Sequence, residues 1–338
     1  MKRLAIVLLI AACLVVGCAV AGESLETRAQ DGDESDTLGS LQLIDDYPLY
    51  TMTYYGSYAL DDSAALVLEP STGPAWGCSL FAAFGGEETL YGRNFDWRYS
   101  PALLLFTDPP DGYASVSLVD IAYLGFSSPD DARTILDLPL SEREALLYAP
   151  YLPFDGMNEY GLTVGMAAVE PGYMTPDPDK PTVDSLVIIR LALDGARTVD
   201  EALAIFESYS IDMGSGPPIH YLIADREGNA ALVEFYQGEM HVTYNDTNWH
   251  AATNFIRVST DEPLRMCSRY RAVVERLTET DGALDASEAL DLLASISQGG
   301  SHPTQWSVVY GMDTGTVDVV MNRQYETVYS FYFPLAEE

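Results

Sequence analysis

The chain has 338 residues, 48% of them hydrophobic, and its 51 acidic against 17 basic side chains give a formal charge of -34. Lysine occurs only at Lys2 and Lys180, so a nucleic-acid phosphate backbone would be repelled, and that class of partner is excluded. Four cysteines, with Cys13 and Cys18 near the start, are too few for a disulfide framework, and no CxxC or His-rich spacing offers a metal or cofactor site.

Met1-Lys2-Arg3 and the apolar run Leu4 to Val16 read as an export signal, because the run is too short to span a bilayer as a permanent helix. It ends in Leu14-Val15-Val16-Gly17-Cys18, which resembles a bacterial-type lipobox with Cys18 as the lipidated residue. That pattern implies a lipoprotein signal at residues 1–17 and an extracytoplasmic protein held at the membrane by a lipid. An ordinary signal cleaved near Ala19 to Ala21 is the alternative. Residues 18–45, with Asp31-Gly32-Asp33-Glu34-Ser35-Asp36, form an acidic tether kept extended by its own charge. The remaining acidity is scattered, as on a solvated surface, and a high-salt habitat would account for it.

From residue 46 one domain is expected, long enough to bury a single large core. Strand patterns lie at Tyr50–Leu60, Ala64–Leu68, Ser79–Phe84, Leu90–Trp97, Ala114–Tyr123 and Leu162–Val169. Six more follow at His220–Ala224, Ala230–Tyr236, Glu239–Tyr244, Gln305–Gly311, Thr316–Asn322 and Thr327–Phe333. Gly85-Gly86, Glu227-Gly228-Asn229 and Asp313-Thr314-Gly315 supply tight turns. Helical spacing marks Asp184–Leu193, a helix opened by the capping box Thr198 to Glu201, Pro263–Thr278, and Ala286–Ser297 opened by Asp285 and Glu288. Antiparallel strand runs with helices grouped between them predict an α+β fold.

Chemistry concentrates in Gly77-Cys78-Ser79-Leu80-Phe81 and, across the Gly-Gly turn, Tyr91-Gly92-Arg93-Asn94-Phe95-Asp96-Trp97. Pairing around that turn puts Cys78 at the open end of a hairpin with Arg93 and Asp96 near it. A guanidinium there stabilises a thiolate, and a carboxylate can orient an amine. Arg93 and Asp96 as a plain structural ion pair is the bland alternative, and Cys78 and Cys267 could instead form a disulfide.

This hairpin resembles the start of the choloylglycine hydrolase and penicillin V acylase family and of related acid ceramidases and isopenicillin-N acyltransferases. Further motifs are similar in the same order: Asp155-Gly156-Met157-Asn158-Glu159-Tyr160-Gly161-Leu162, the hairpin His220 to Glu234, Thr253-Asn254 and Ser268-Arg269-Tyr270. The resemblance implies a four-layer α-β-β-α sandwich of two antiparallel sheets, the N-terminal-nucleophile (Ntn) hydrolase fold. It implies a catalytic domain at residues 78–338, released by cleavage between Gly77 and Cys78, with residues 46–77 as propeptide or small-chain strands. Residues 18–77 could then stay bound as a small chain.

On that resemblance Cys78 is the nucleophile, and its freed α-amine, of pKa ~7.7–8.0, is the general base. Asp96 holds the amine, Arg93 favours the thiolate, Asn254 donates to the oxyanion and Arg269 orders the site. Trp97, Phe106 and Met157 are the substrate-contact candidates, with Leu103 to Phe106 and Tyr113 among the acyl-pocket walls. The family's bile-salt and penicillin V acylases carry an asparagine at the position matched by Ala168, so another oxyanion donor is needed and a broader linear-amide substrate is favoured. No cofactor is implied. Hydrolysis of a small N-acyl amide, acyl transfer, a silent binding lipoprotein and a papain-like protease with a histidine base stay open.

Overall fold

The computed structural model describes residues 33–58, 77–214 and 216–337. The export signal, Cys18 and the expected strand Ala64–Leu68 lie outside the described residues. Within the expected tether, residues 33–39 form a helix, α1, and Gln42–Asp45 form the first strand, β1. The expected boundary at residue 45 is therefore too late: Leu38 and Leu41 are buried, and two apolar anchors outweigh the local acidity.

The chain continues through β2 (Leu49–Tyr54), β3 (Gly77–Ala83), β4 (Leu90–Asp96), β5 (Ala102–Thr107) and β6 (Ser115–Asp120). A short helix α2 (Pro129–Arg133) precedes β7 (Asp155–Asn158), β8 (Thr163–Ala168) and β9 (Thr182–Asp184). Next come α3 (Val187–Gly195), α4 (Val199–Ser208), β10 (Ser210–Asp212), β11 (Ile219–Ala224), β12 (Ala230–Tyr236), β13 (Glu239–Tyr244) and β14 (Trp249–Ala252). The C-terminal part holds α5 (Pro263–Met266), α6 (Ser268–Thr280), α7 (Ala286–Ser295), β15 (Thr304–Gly311), β16 (Thr316–Met321) and β17 (Tyr329–Tyr332).

A nine-stranded sheet runs β1-β2-β5-β6-β7-β8-β11-β12-β13, and a six-stranded sheet runs β14-β3-β4-β15-β16-β17. Alternation along each strand fixes the layers. In β3, Leu80 and Ala82 join the core shared with the larger sheet, whereas Phe81 and Ala83 join Val273, Leu277, Leu290 and Leu293 of α6 and α7. On the far face of the larger sheet, Tyr221 of β11 meets Phe206 of α4 with ring centroids 4.9 Å apart. The α-β-β-α order is thus as expected.

Three local expectations need correction. The larger sheet is mixed, because β2 and β5 pair in parallel, Leu49 opposite Ala102. The helix expected over Pro263–Thr278 is broken at Cys267, whose extended backbone (φ -147°, ψ 129°) separates α5 from α6. The capping box at Thr198 is half formed, since Glu201 turns its carboxylate to the Arg197 amide; the box at Asp285 and Glu288 is complete.

The turn from β7 to β8 needs Gly161, which has φ +78° and would place a Cβ 2.1 Å from the Met312 carbonyl oxygen. At the end of β6, burial pushes the Asp120 carboxyl from 3.8 to about 7, against the opposing pull of Ser100 and the Ala122 amide. The folded chain keeps a proton there that the unfolded chain loses, so stability falls as pH rises from 3.8 to about 7. Thermal unfolding across that window should show a shallower loss in Asp120→Asn than in the wild type.

Candidate active site

Three strand junctions build the site. In the β3–β4 hairpin Gly77 lies opposite Asp96 and Cys78 opposite Phe95. On the other side of β3, β14 pairs Ala252 with Leu80, which delivers Asn254 just beyond the strand end. Beyond β4, β15 sets Thr304 opposite Asp96. Arg269 enters from the first turn of α6, directly after the break at Cys267.

Cys78 is 3% exposed, and its Sγ lies 3.9 Å from Arg93 Nη2. Its main-chain nitrogen donates to Asn254 Oδ1 at 2.7 Å, and its carbonyl accepts from Arg269 Nη1 at 2.5 Å. Arg269 also donates to Ser79 Oγ at 2.9 Å and to Asn254 Oδ1 at 2.8 Å, and lies 3.6 Å from Asp96 Oδ2. One guanidinium therefore ties together Cys78, Asn254 and the buried carboxylate of Asp96. The five residues expected to act together, Cys78, Arg93, Asp96, Asn254 and Arg269, do converge.

Their pairings differ from the expected ones in two places. The Cys78 nitrogen is held by Asn254, whereas Asp96 accepts from Thr304 Oγ1 at 2.5 Å and Gln298 Nε2 at 2.6 Å. Asn254 Nδ2 donates to the Ala168 carbonyl at 2.7 Å, so one of its two hydrogens is committed to main chain. Ala168 thus presents a main-chain acceptor to Asn254.

Arg93 is fully buried and forms an ion pair with Asp155, which also accepts the Tyr310 hydroxyl. Arg93 Nη2 donates to the Met166 carbonyl at 3.0 Å, and its guanidinium carbon sits 5.0 Å from the Phe95 ring centroid. A charge buried this deeply is tolerated only when paired and hydrogen-bonded. Asp155 opens the second motif, yet its role was missed because its partner lies 62 residues away. Glu234 was missed likewise: it accepts the amides of Arg257 at 2.6 Å and Val258 at 2.9 Å, closing the loop that carries Asn254. Its burial in an otherwise apolar strand is the signal that marks it.

Burial pushes the Cys78 thiol above its ordinary value, and the nearby Arg93 opposes but does not cancel this. Burial likewise raises Asp96, against the pull of Thr304 and Arg269. The thiol is therefore protonated at neutral pH. The histidines are bonded elsewhere: His220 to Glu234, His241 to the Tyr236 carbonyl, His250 to the Thr243 carbonyl and His302 to Ser301. Cys78 and Cys267 are both free thiols.

The substrate-contact candidates divide. Trp97 ends β4 beside the site, its ring 6.4 Å from Phe95 and 6.2 Å from His302. Met157 is fully buried in the core of β7, opposite Thr163. Phe106 lines a separate cleft of about 460 Å³ with Phe333, Pro334 and Leu335. Leu103, Leu104 and Leu105 are fully buried in β5. Of the proposed contacts, Trp97 alone adjoins the converged residues; an apolar run read without its sheet position does not tell a pocket wall from core.

The family model of acyl-coenzyme A:6-aminopenicillanic acid acyl-transferase matches residues 153–289, a stretch that includes Asp155, Asn254 and Arg269. A mutant of conjugated bile acid hydrolase from Clostridium perfringens superposes with a TM-score of 0.54 at 16% identity, covering 76% of this chain and 92% of that one. Penicillin V acylase from Agrobacterium tumefaciens gives 0.52 at 15% identity, covering 75% and 86%. No curated protein matches the chain in sequence. These likenesses establish the fold as the Ntn-hydrolase sandwich.

Removing the counter-charge tests the network. Asp155→Asn leaves Arg93 buried without its carboxylate and should cost about 3–5 kcal/mol of stability, measured by denaturant unfolding. A change under about 1 kcal/mol would mean that the pair is not a structural anchor.

Proposed function

We propose that the chain is a cysteine Ntn hydrolase that cuts itself between Gly77 and Cys78 and then hydrolyses a non-peptide N-acyl amide through a thioester on Cys78. One observation carries this reading: the thiol and the main-chain nitrogen of a single buried residue each have a dedicated neighbour, Arg93 and Asn254. After cleavage that nitrogen becomes an α-amine of pKa ~7.7–8.0, able to take the thiol proton near neutrality. The base that the uncut site lacks is thereby supplied by maturation. Asn254 and Arg269 would hold the amine and the rim of the oxyanion site, and a preorganised donor there is worth about 3 kcal/mol.

In turnover Sγ bonds to the substrate carbonyl carbon, the amine leaves with the proton returned by the α-amine, and water releases the acid. The match to an acyltransferase family over residues 153–289 favours a second reading in which an amine replaces that water. The C. perfringens and A. tumefaciens proteins carry names for bile acid and penicillin V amides; alanine at position 168, where those acylases are expected to carry asparagine, favours a broader linear-amide substrate here.

Residues 33–54 lie ahead of the cut, and β2 is bonded along its length to β5, with Leu49 and Tyr50 fully buried. That packing favours retention of the small chain after cleavage. A lipid on Cys18 would then hold the catalytic chain at the membrane through this sheet, without a covalent link.

Purified wild-type protein should yield a chain beginning at Cys78 on N-terminal sequencing, co-eluting with a small chain under native conditions. Cys78→Ala should yield neither. A wild type that turns over N-acyl amides with the Gly77–Cys78 bond intact would overturn the proposal.

A further inference from the structure

Gly77 has no positive φ that would require glycine; space requires it. A Cβ added there would lie 1.8 Å from Gln298 Nε2, 2.9 Å from Asp96 Oδ2 and 3.0 Å from Asp96 Cβ. The Gln298 main chain is anchored, its N–H donating to Thr304 Oγ1 at 2.8 Å and its carbonyl accepting from the Thr304 N–H at 3.0 Å, and its side-chain Nε2 is held by the bond it donates to Asp96 Oδ2 at 2.6 Å. Moving it aside would strip a donor from a buried carboxylate.

We infer that Gln298 and Asp96 form a specificity gate that admits only acyl groups unsubstituted on the carbon next to the reacting carbonyl. The inference rests on the reading above, because maturation and turnover each pass through a thioester on the Cys78 sulfur. In maturation Sγ bonds to the Gly77 carbonyl carbon, the bond from that carbon to the Cys78 nitrogen breaks, and the thiol proton ends on the departing nitrogen. The product is a thioester of Gly77 and a free amine; water then adds, giving the Gly77 carboxylate and restoring the thiol. In turnover the same sulfur carries the substrate acyl group, and the carbon next to its carbonyl takes the place of the Gly77 Cα. Gly77 is thus the first acyl group that the site accepts, and its surroundings describe the next. The gate selects straight-chain, arylacetyl-type or glycyl-type acyl units over α-branched ones.

The test compares octanoyl para-nitroanilide with its α-methyl-branched analogue, each turned over by wild type and by Gln298→Ala. Wild type should prefer the straight chain by about 10- to 200-fold in kcat/KM, as expected for one misplaced methyl group. Gln298→Ala should bring that ratio toward equality, whatever it does to the absolute rates. A branched probe accepted equally by wild type, or a ratio unmoved by Gln298→Ala, overturns the gate while leaving the amidase reading intact. If neither probe is turned over, maturation itself supplies the readout. Gly77→Ala should slow the appearance of the chain beginning at Cys78, and Gln298→Ala in the same chain should restore it. Equal cutting of Gly77→Ala and wild type would sink the gate on its own.

Discussion

The site depends on charge balance between buried groups at the seam of two sheets. Arg93 and Asp155 are both fully buried, as is Asp96, and Arg269 is the cation beside it. Charges in such a position are tolerated only when paired and hydrogen-bonded, and the Arg93 guanidinium meets this through Nη1 and Nη2, its Nε having no partner among the described residues. That requirement links four strands: Arg93 of β4 pairs with Asp155 of β7 and donates to the Met166 carbonyl of β8, and Tyr310 of β15 donates to the same Asp155. Once those strands are fixed, Cys78 has no freedom: its thiol meets Arg93, its nitrogen meets Asn254 and its carbonyl meets Arg269.

The same network bears on the proposed chemistry. A thiol raised by burial is a poor nucleophile without a base, and the four histidines are bonded elsewhere. On the proposed reading, cleavage at Gly77 would convert an amide nitrogen already held by Asn254 into an amine, so the base would arise in position. Preorganisation of that kind saves the reorganisation that a mobile base would require. The strands ahead of Gly77 are held in the sheet by hydrogen bonds and buried apolar surface, so on the proposed reading the covalent link could break without loss of the fold.

Much of this was legible in the sequence, for physical reasons. Alternation in Ser79–Phe84 and Leu90–Trp97 around Gly85-Gly86 gives the nucleophile hairpin, and the spacing of Arg93 and Asp96 puts both near its open end. The Asp285 and Glu288 box marks the start of α7 to the residue. What stayed hidden depends on tertiary pairing. Asp155 and Glu234 look like ordinary polar residues in apolar strands until their distant partners are placed. β5 reads as a pocket wall because an apolar run does not reveal that both its faces are covered. The break at Cys267 carries no glycine or proline, so nothing local announces the turn that aims Arg269 at the site. Gln298 lies in a loop with no motif and is recognised only by the space it takes from Gly77.

The central claim is that the sulfur and the amine of one residue share attack and proton transfer. Its most direct test is to quench the mature enzyme during turnover of an N-acyl amide and map the adduct by mass spectrometry. The account predicts an acyl group, labile to neutral hydroxylamine, on the sulfur of a peptide that begins at Cys78 and has a free α-amine. An adduct on any other residue, or on a peptide in which Gly77 still precedes Cys78, would contradict it.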